Sequence, residues 1–319
     1  MTTEPPDGQR RGRILVLGLP YFGKMLAHDL GELGWRAEYL PHPGRSAPGW
    51  AKVARAAARA DIVYLIGSRI DAKSPQDRLL RLRRKPTVIH WVGTDVQIAI
   101  EEHRRHNVSL RVAERPEHWC DAPWLVDELR SIGVISEYVS LPIPIHTPPA
   151  PPLPGTFRVL LYYPVDPFDR EVFDGETLLR LPVEFPDVPF TLIPSPADTL
   201  PQPLPPNLET RAWVEDMDAL YRETTVVIRL TSHDGQSFIA AEALSRGRYV
   251  IWTFGMPGCI KAQGFDAVAA ALRGLLERSR AGELKVNQSG RRSVLERFGK
   301  GRPLRELDER LRALLPPGA

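Results

Sequence analysis

The chain alternates between short apolar runs and longer stretches in which apolar residues recur every three or four positions. A β-branched run of four to eight residues predicts a buried strand, and a period near 3.6 predicts a helix. On this reading strands are expected at Arg13–Leu19, Asp61–Ile66 and Thr87–Val92, with shorter ones ending at Tyr39 and Leu40, at Leu110–Val112 and at Tyr138–Leu141. Helices are expected at Lys24–Leu33, Ala51–Ala60, Pro75–Arg84 and Trp124–Ser131. The pattern then starts again. Strands at Phe157–Tyr162, Phe190–Ile193, Leu208–Val214, Thr225–Leu230 and Tyr249–Thr253 are separated by helical stretches at Gly175–Arg180, Met217–Arg222 and Phe238–Arg246. Helices at Phe265–Arg278 and Arg302–Leu315 follow. Strands alternating with helices at this spacing predict doubly wound parallel sheets of the α/β class.

A proline run, HTPPAPPLPG at His146–Gly155, separates the two alternations and reads as a semi-rigid linker. The expected organisation is a polar tail over residues 1–12, a domain over 13–145, the linker over 146–155, a second domain over 156–300 and a terminal helix within 301–319.

The stretch Thr224–Thr253, TTVVIRLTSHDGQSFIAAEALSRGRYVIWT, carries the most specific chemistry. It reads as strand, polar loop (Thr231–Gly235), helix capped by Ser237, and strand, with Gly247 suited to the left-handed position past the helix. The loop would sit at the carboxyl end of a parallel strand, where open α/β sheets bind ligands. Asp234 lies in the loop and Glu242 inside an otherwise apolar helix. A lone Glu there would read as a solvated outer-face residue. With Asp234 before it, and with backbone N–H groups at Gln236, Ser237 and Phe238 placed to face an anion, the pair suits a sugar joined to phosphate and nucleoside.

Asp234-Gly235-Gln236-Ser237-Phe238 … Glu242-Ala243-Leu244 resembles the acid-x7-acid motif of retaining GT-B glycosyltransferases of the family 4 type. Several other points follow the same plan over almost the whole chain: His90-Trp91-Val92-Gly93-Thr94-Asp95, Pro123-Trp124-Leu125, Leu141-Pro142-Ile143-Pro144, Pro257-Gly258 and Asn287 … Gly290-Arg291. The resemblance implies a GT-B fold, two Rossmann-like domains facing a cleft, with the C-terminal helix free to cross back to the N-terminal domain. It implies that Asp234 holds the transferred sugar, that Glu242 holds the ribose, and that Gly235, Gln236, Ser237 and Phe238 face the donor. The family's basic pair after the first donor-domain strand is missing. That loop reads Tyr163 to Arg170 with Arg170 its only cation, so Tyr163 and Arg170 are placed at the donor and Arg229 is expected to substitute beside the leaving diphosphate. The acceptor side would be lined by Tyr21, Phe22, Gly23, His90, Gly93 and Asp95. The implied substrate is a nucleotide-sugar, UDP- or GDP-linked, and the acceptor a glycan or lipid-linked hydroxyl. No cofactor and no metal are called for. The alternative is a non-catalytic GT-B module that binds a nucleotide or glycan beside a partner enzyme.

Composition changes this picture little. The 319 residues are 43% hydrophobic and 25% charged, the net charge is +3, and nothing in that balance calls for nucleic acid. Two cysteines, Cys120 and Cys259, form no disulfide or zinc pattern. The N-terminus lacks the apolar segment of a signal peptide and no run approaches a membrane span, so a cytoplasmic protein is expected. Arg78–Lys85, RLLRLRRK, reads first as an amphipathic helix with its leucines in the core, and second as a contact for anionic lipid at the inner membrane face. His103 and His106 have no third ligand at metal spacing, and Asp216-Met217-Asp218 reads as a helix start. Gly18-Leu19-Pro20-Tyr21-Phe22-Gly23 is not GxGxxG, which leaves a nicotinamide site unsupported.

Overall fold

The computed structural model describes residues 11–72, 77, 85–143, 145, 147–299 and 301–315. The chain divides into two compact units, residues 1–142 with 301–319, and residues 143–300.

Unit 1 is a six-stranded sheet with every neighbouring pair parallel. Its strands are β1 (Arg13–Gly18), β2 (Arg36–Pro41), β3 (Ile62–Ile66), β4 (Thr87–Trp91), β5 (Glu117–Cys120) and β6 (Glu137–Tyr138), in the order β2-β1-β3-β4-β5-β6. Its helices among the described residues are α1 (Pro20–Glu32), α2 (Ala47–Arg59), α3 (Thr94–Arg104), α4 (Leu110–Glu114) and α5 (Pro123–Ser131). Buried β-branched runs in β1, β3 and β4 make the middle of the sheet, as their apolar pattern predicts. One face of the sheet packs Leu15, Leu17 and Leu40 against Val53, Ala56 and Ala57 of α2.

One sequence expectation is corrected here. Leu110–Val112 is the start of helix α4, not a strand. Three apolar residues are too few to carry a period, and the local chain closes its turns on Ser109, whose carbonyl accepts from Val112 and Ala113. The strand lies instead at β5, whose Glu117 and His118 hide it from a reading by hydrophobicity, although His118, Trp119 and Cys120 are all buried. The helix expected over 75–84 and the lipid-contact reading of 78–85 lie almost wholly outside the described residues. No helix among the described residues is long and apolar enough to cross a membrane.

Unit 2 is a second all-parallel sheet. Its strands are β7 (Val159–Tyr162), β8 (Phe190–Ile193), β9 (Leu208–Thr210), β10 (Val226–Arg229), β11 (Tyr249–Trp252) and β12 (Ile260–Lys261), in the order β12-β11-β10-β7-β8-β9. Around them lie α6 (Pro167–Arg170), α7 (Gly175–Glu184), α8 (Met217–Glu223), α9 (Phe238–Ser245), α10 (Phe265–Arg280) and α11 (Gln288–Phe298). The strand order reverses between β7 and β10, and the crevice at the carboxyl ends of those two strands is where this architecture receives ligands. The proline run is laid along this unit. The guanidinium of Arg248, whose side chain is fully buried, donates to the carbonyls of Pro151 and Pro152, and Arg291 to those of Thr147 and Pro148.

The last helix, α12 (Gly301–Ala313), returns to unit 1. Leu304, Leu307 and Leu311 recur at helical spacing and are buried, and Asp308 accepts a 2.7 Å hydrogen bond from the indole N–H of buried Trp35. Arg310 pairs with Glu137 at 2.6 Å.

Candidate functional site

The site is built where β10 ends. Val226–Ile228 are buried, and the chain then turns polar through Thr231, Ser232, His233 and Asp234. Ser237 caps α9 by accepting from the Ala240 N–H at 3.4 Å. Gly247 lies just past α9 at φ +70°, with the Val286 side chain so close that a Cβ there would collide with it. The strand-loop-helix-strand order of Thr224–Thr253 is the one its pattern predicts.

Asp234 is buried and heavily engaged. Arg229 donates to both its oxygens, Nε to Oδ2 at 2.5 Å and Nη2 to Oδ1 at 2.8 Å. The indole N–H of Trp252 adds a bond to Oδ2 at 3.1 Å. Register explains this meeting, because Arg229 and Trp252 are direct partners across β10 and β11. The guanidinium is held from its other side, 5.0 Å from the ring centres of both Tyr162 and Phe173. The neighbouring carboxylate holds the Arg229 proton more tightly than usual, against the opposing effect of burial.

Glu242 sits one turn into α9 and is largely buried. Its Oε2 accepts from the hydroxyl of buried Tyr221 at 2.9 Å. Arg246 lies 4.8 Å from the centre of the Tyr221 ring, donates to the Glu242 carbonyl at 2.9 Å and pairs with Asp218. Burial pushes the Glu242 carboxyl above its ordinary value, while the Tyr221 hydroxyl and Arg246 pull it back. Asp216, the other half of the D-x-D spacing, is the N-cap of α8 and accepts from Ala219 N–H at 2.9 Å.

The loop after β7 closes on the loop after β10. Ser232 N–H donates to the Val172 carbonyl at 2.7 Å, and Phe173 bridges to Thr231. Arg170 ties the same loop down: Nε to the Pro164 carbonyl at 2.6 Å, Nη1 to the Thr199 carbonyl at 2.7 Å, and Nη2 to the hydroxyls of Ser195 and Thr199. Its guanidinium lies 4.8 Å from the centre of the Tyr163 ring, which packs against Gly175. The two cations expected at the donor phosphates, Arg229 and Arg170, are thus both engaged by protein groups.

In unit 1, Tyr21 and Phe22 stand at the start of α1 with their rings 5.5 Å apart, and Tyr21 is 55% exposed. Gly23 is dictated by packing, because a Cβ would lie 2.4 Å from the Tyr39 ring. Gly93 precedes α3, and Asp95 folds back to accept from the Val92 N–H at 3.1 Å. His90, expected on the acceptor side, is instead a fully buried core residue. It lies between Tyr64, whose hydroxyl meets Nδ1 at 2.5 Å, and Trp119, and burial lowers its pKa to about 3. The apolar neighbours of β4 leave no room for it at the surface. Three metal-type ligands gather among the described residues only at His28, Asp29 and Glu32 on α1.

Tyr221 and Trp252 hold the two carboxylates and carry no sequence signal of that role. The nearest hint for Trp252 is an N–H-bearing ring at the end of the strand that pairs with the Arg229 strand.

No family model and no curated protein sequence matches the chain. Solved structures do. The sucrose-phosphate synthase of Thermosynechococcus elongatus superposes with a TM-score of 0.69 at 12% identity, over 95% of this chain and 99% of that one. The calicheamicin glycosyltransferase CalG4 gives 0.53 at 16% identity, over 98% and 100%. The fold is that of the GT-B glycosyltransferases. The pneumococcal O-GlcNAc transferase GtfA, solved with UDP and GlcNAc, shares it with a TM-score of 0.55 at 11% identity, over 79% of this chain. The chain spans about half of two longer GT-B matches, 54% of TarM and 56% of GtfA. With sucrose-phosphate synthase the GT-B likeness extends over both units, not one sheet alone.

Proposed function

We propose that the chain transfers a sugar from a nucleoside-diphosphate sugar to a hydroxyl acceptor, with retention of configuration. The observation that carries this reading is the placement of Glu242. Its carboxylate stands one helical turn inside the N-terminus of α9, the helix that follows β10, and accepts from Tyr221. Glu242 would accept the ribose hydroxyls, and the backbone N–H groups over 235–238 would face the diphosphate. Asp234 would meet the sugar through the edge of its carboxylate, held in place by Arg229 and Trp252. Negative charge develops on the leaving diphosphate, and the N-terminus of α9 would stabilise it without a metal. The departing phosphate would take the acceptor's proton, so that no separate protein base is required. The UDP found with GtfA supports a uridine or similar nucleotide as the donor's handle. A glycan or lipid-linked hydroxyl is the proposed acceptor, with Tyr21 and Phe22 as a stacking surface for it in unit 1. A cytoplasmic setting is proposed with it.

A second reading has its own support. Arg229 and Arg170 are both occupied by protein acceptors, which leaves the diphosphate without a dedicated cation among the residues expected to supply one. On that reading the chain binds a nucleotide or glycan and assists a partner. Incubation with UDP-glucose, UDP-GlcNAc or GDP-mannose without acceptor separates the two. Slow release of nucleotide, abolished by Glu242→Gln, supports transfer. Binding without any release supports the binding module.

A further inference from the structure

We infer that unit 1 carries a second, separate ligand site, an anion pocket at the amino end of its sheet that takes a small molecule bearing a phosphoryl group. A cavity of about 310 Å³ opens there, and Arg13, Arg36 and Arg59 line it together.

Strand register and helix length bring the three cations to one place. Arg13 and Arg36 are direct partners across β1 and β2, so their side chains leave the same face of the sheet side by side. That face is the one α2 covers, since Leu15, Leu17 and Leu40, at alternate positions on from Arg13 and Arg36, pack against Val53 and Ala56. The helix ends at Arg59, which lines the same cavity. Beneath them the wall is small and apolar, made by Leu15, Ala56 and Ala60. Glu38 is the one acid in the lining, opposite Leu15. Among the described residues none of the three guanidiniums pairs with it or with any other carboxylate.

Like charges set directly opposite each other weaken a sheet. Arg13, Arg36 and Arg59 are all exposed, so two arginines in register on an edge pair, with a third at the end of the covering helix, repel one another only weakly through water. Such local conflict is expected where a ligand supplies the missing charge. The planar guanidinium fork suits a phosphoryl group, which can accept from more than one arginine at once. The volume lies near the lower end for small-molecule sites, which favours a compact phosphate ester over a nucleotide. The pocket uses the amino ends of β1 and β2, whereas open α/β sheets receive their substrates at the carboxyl ends. It is therefore independent of the nucleotide reading of unit 2.

The test is calorimetric titration of the full chain with glucose 6-phosphate, for the wild type, for Arg36→Gln/Arg59→Gln and for Glu242→Gln. The expected result is binding that weakens about tenfold or more in the double variant, falls with added salt and is unchanged in Glu242→Gln. Without ligand the double variant should melt no lower than the wild type, because the like-charge contact is relieved. Sedimentation with equimolar phosphatidylglycerol–phosphatidylcholine vesicles forms the second arm. Capture that the double variant loses, without binding of the free ester, would assign the phosphoryl group to a lipid headgroup at the same pocket. If neither probe binds, or the double variant binds both as tightly as wild type, the inference is wrong. A double variant that loses binding and also melts lower would make the arginines structural and overturn it equally.

Discussion

Asp234 commits both carboxylate oxygens to the protein, and this changes what a substitution there can report. Removing it strands the Arg229 guanidinium, whose side chain is only 14% exposed. Loss of one partner from a buried pair costs about 3–5 kcal/mol. Asp234→Ala is therefore expected to lower the denaturant midpoint of unit 2 substantially, and Asp234→Asn, which keeps an acceptor for Trp252, to lower it less. Equal stability of Asp234→Ala and wild type in chemical unfolding would mean the pair holds nothing together. Tyr221→Phe removes a single hydroxyl bond to Glu242, and should weaken nucleotide binding several-fold with the fold intact, as read by calorimetry. The sequence singles out Asp234 by its place in the polar loop eight positions before Glu242, and Glu242 by its place in an otherwise apolar helix. It does not single out their partners, because pairing with Arg229, Trp252 and Tyr221 depends on strand register and on how the loop curls back. His90 shows the same limit, since a strand residue's face and burial follow from neighbours far along the chain.

At the scale of elements, the βαβ unit of Thr224–Thr253 could be read almost to the residue because long apolar runs, a cap and a glycine agree with one another. Strand β5 could not, because two of its buried residues are His118 and Trp119, whose register partners on β4 are Ile89 and His90. The Trp91 indole donates to His118 Nδ1 at 3.1 Å, and burial lowers the His118 pKa to about 4 and that of His90 to about 3. Both values lie below the ordinary 6.5, so the folded state binds fewer protons than the unfolded chain. Their contribution is complete above pH 6.5 and is lost as pH falls from there, towards about 4 for His118 and about 3 for His90. At about pH 5 each histidine should cost roughly 2 kcal/mol relative to neutral pH. Melting of unit 1 followed against pH should therefore steepen below 6.5, and His118→Gln should flatten that dependence. An acid limb that begins only in the carboxylate range would contradict it.

At the scale of the whole molecule, the chain leaves unit 1 near residue 142, builds unit 2 and comes back with α12. Unit 1 is thus closed by a helix from the far end of the sequence, whose Leu307 is fully buried. Leu307→Ala should destabilise unit 1 by about 2–5 kcal/mol while leaving nucleotide-dependent stabilisation of unit 2 unchanged, as two-transition calorimetry would read. The two alternations of strand and helix made both sheets legible, whereas the return of α12 follows from contacts that no local pattern encodes. The central claim is that unit 2 holds a nucleoside diphosphate with Glu242 on its ribose. Titration of UDP and GDP into the wild type and Glu242→Gln, with unfolding followed at neutral pH, tests it most directly. The expected result is binding of at least one nucleotide, weakened about tenfold or more in the variant. The variant itself should unfold no more easily, because a carboxyl whose pKa burial raises costs stability once pH exceeds that value. Failure of both nucleotides to bind, or equal affinity in a folded variant, would contradict the account.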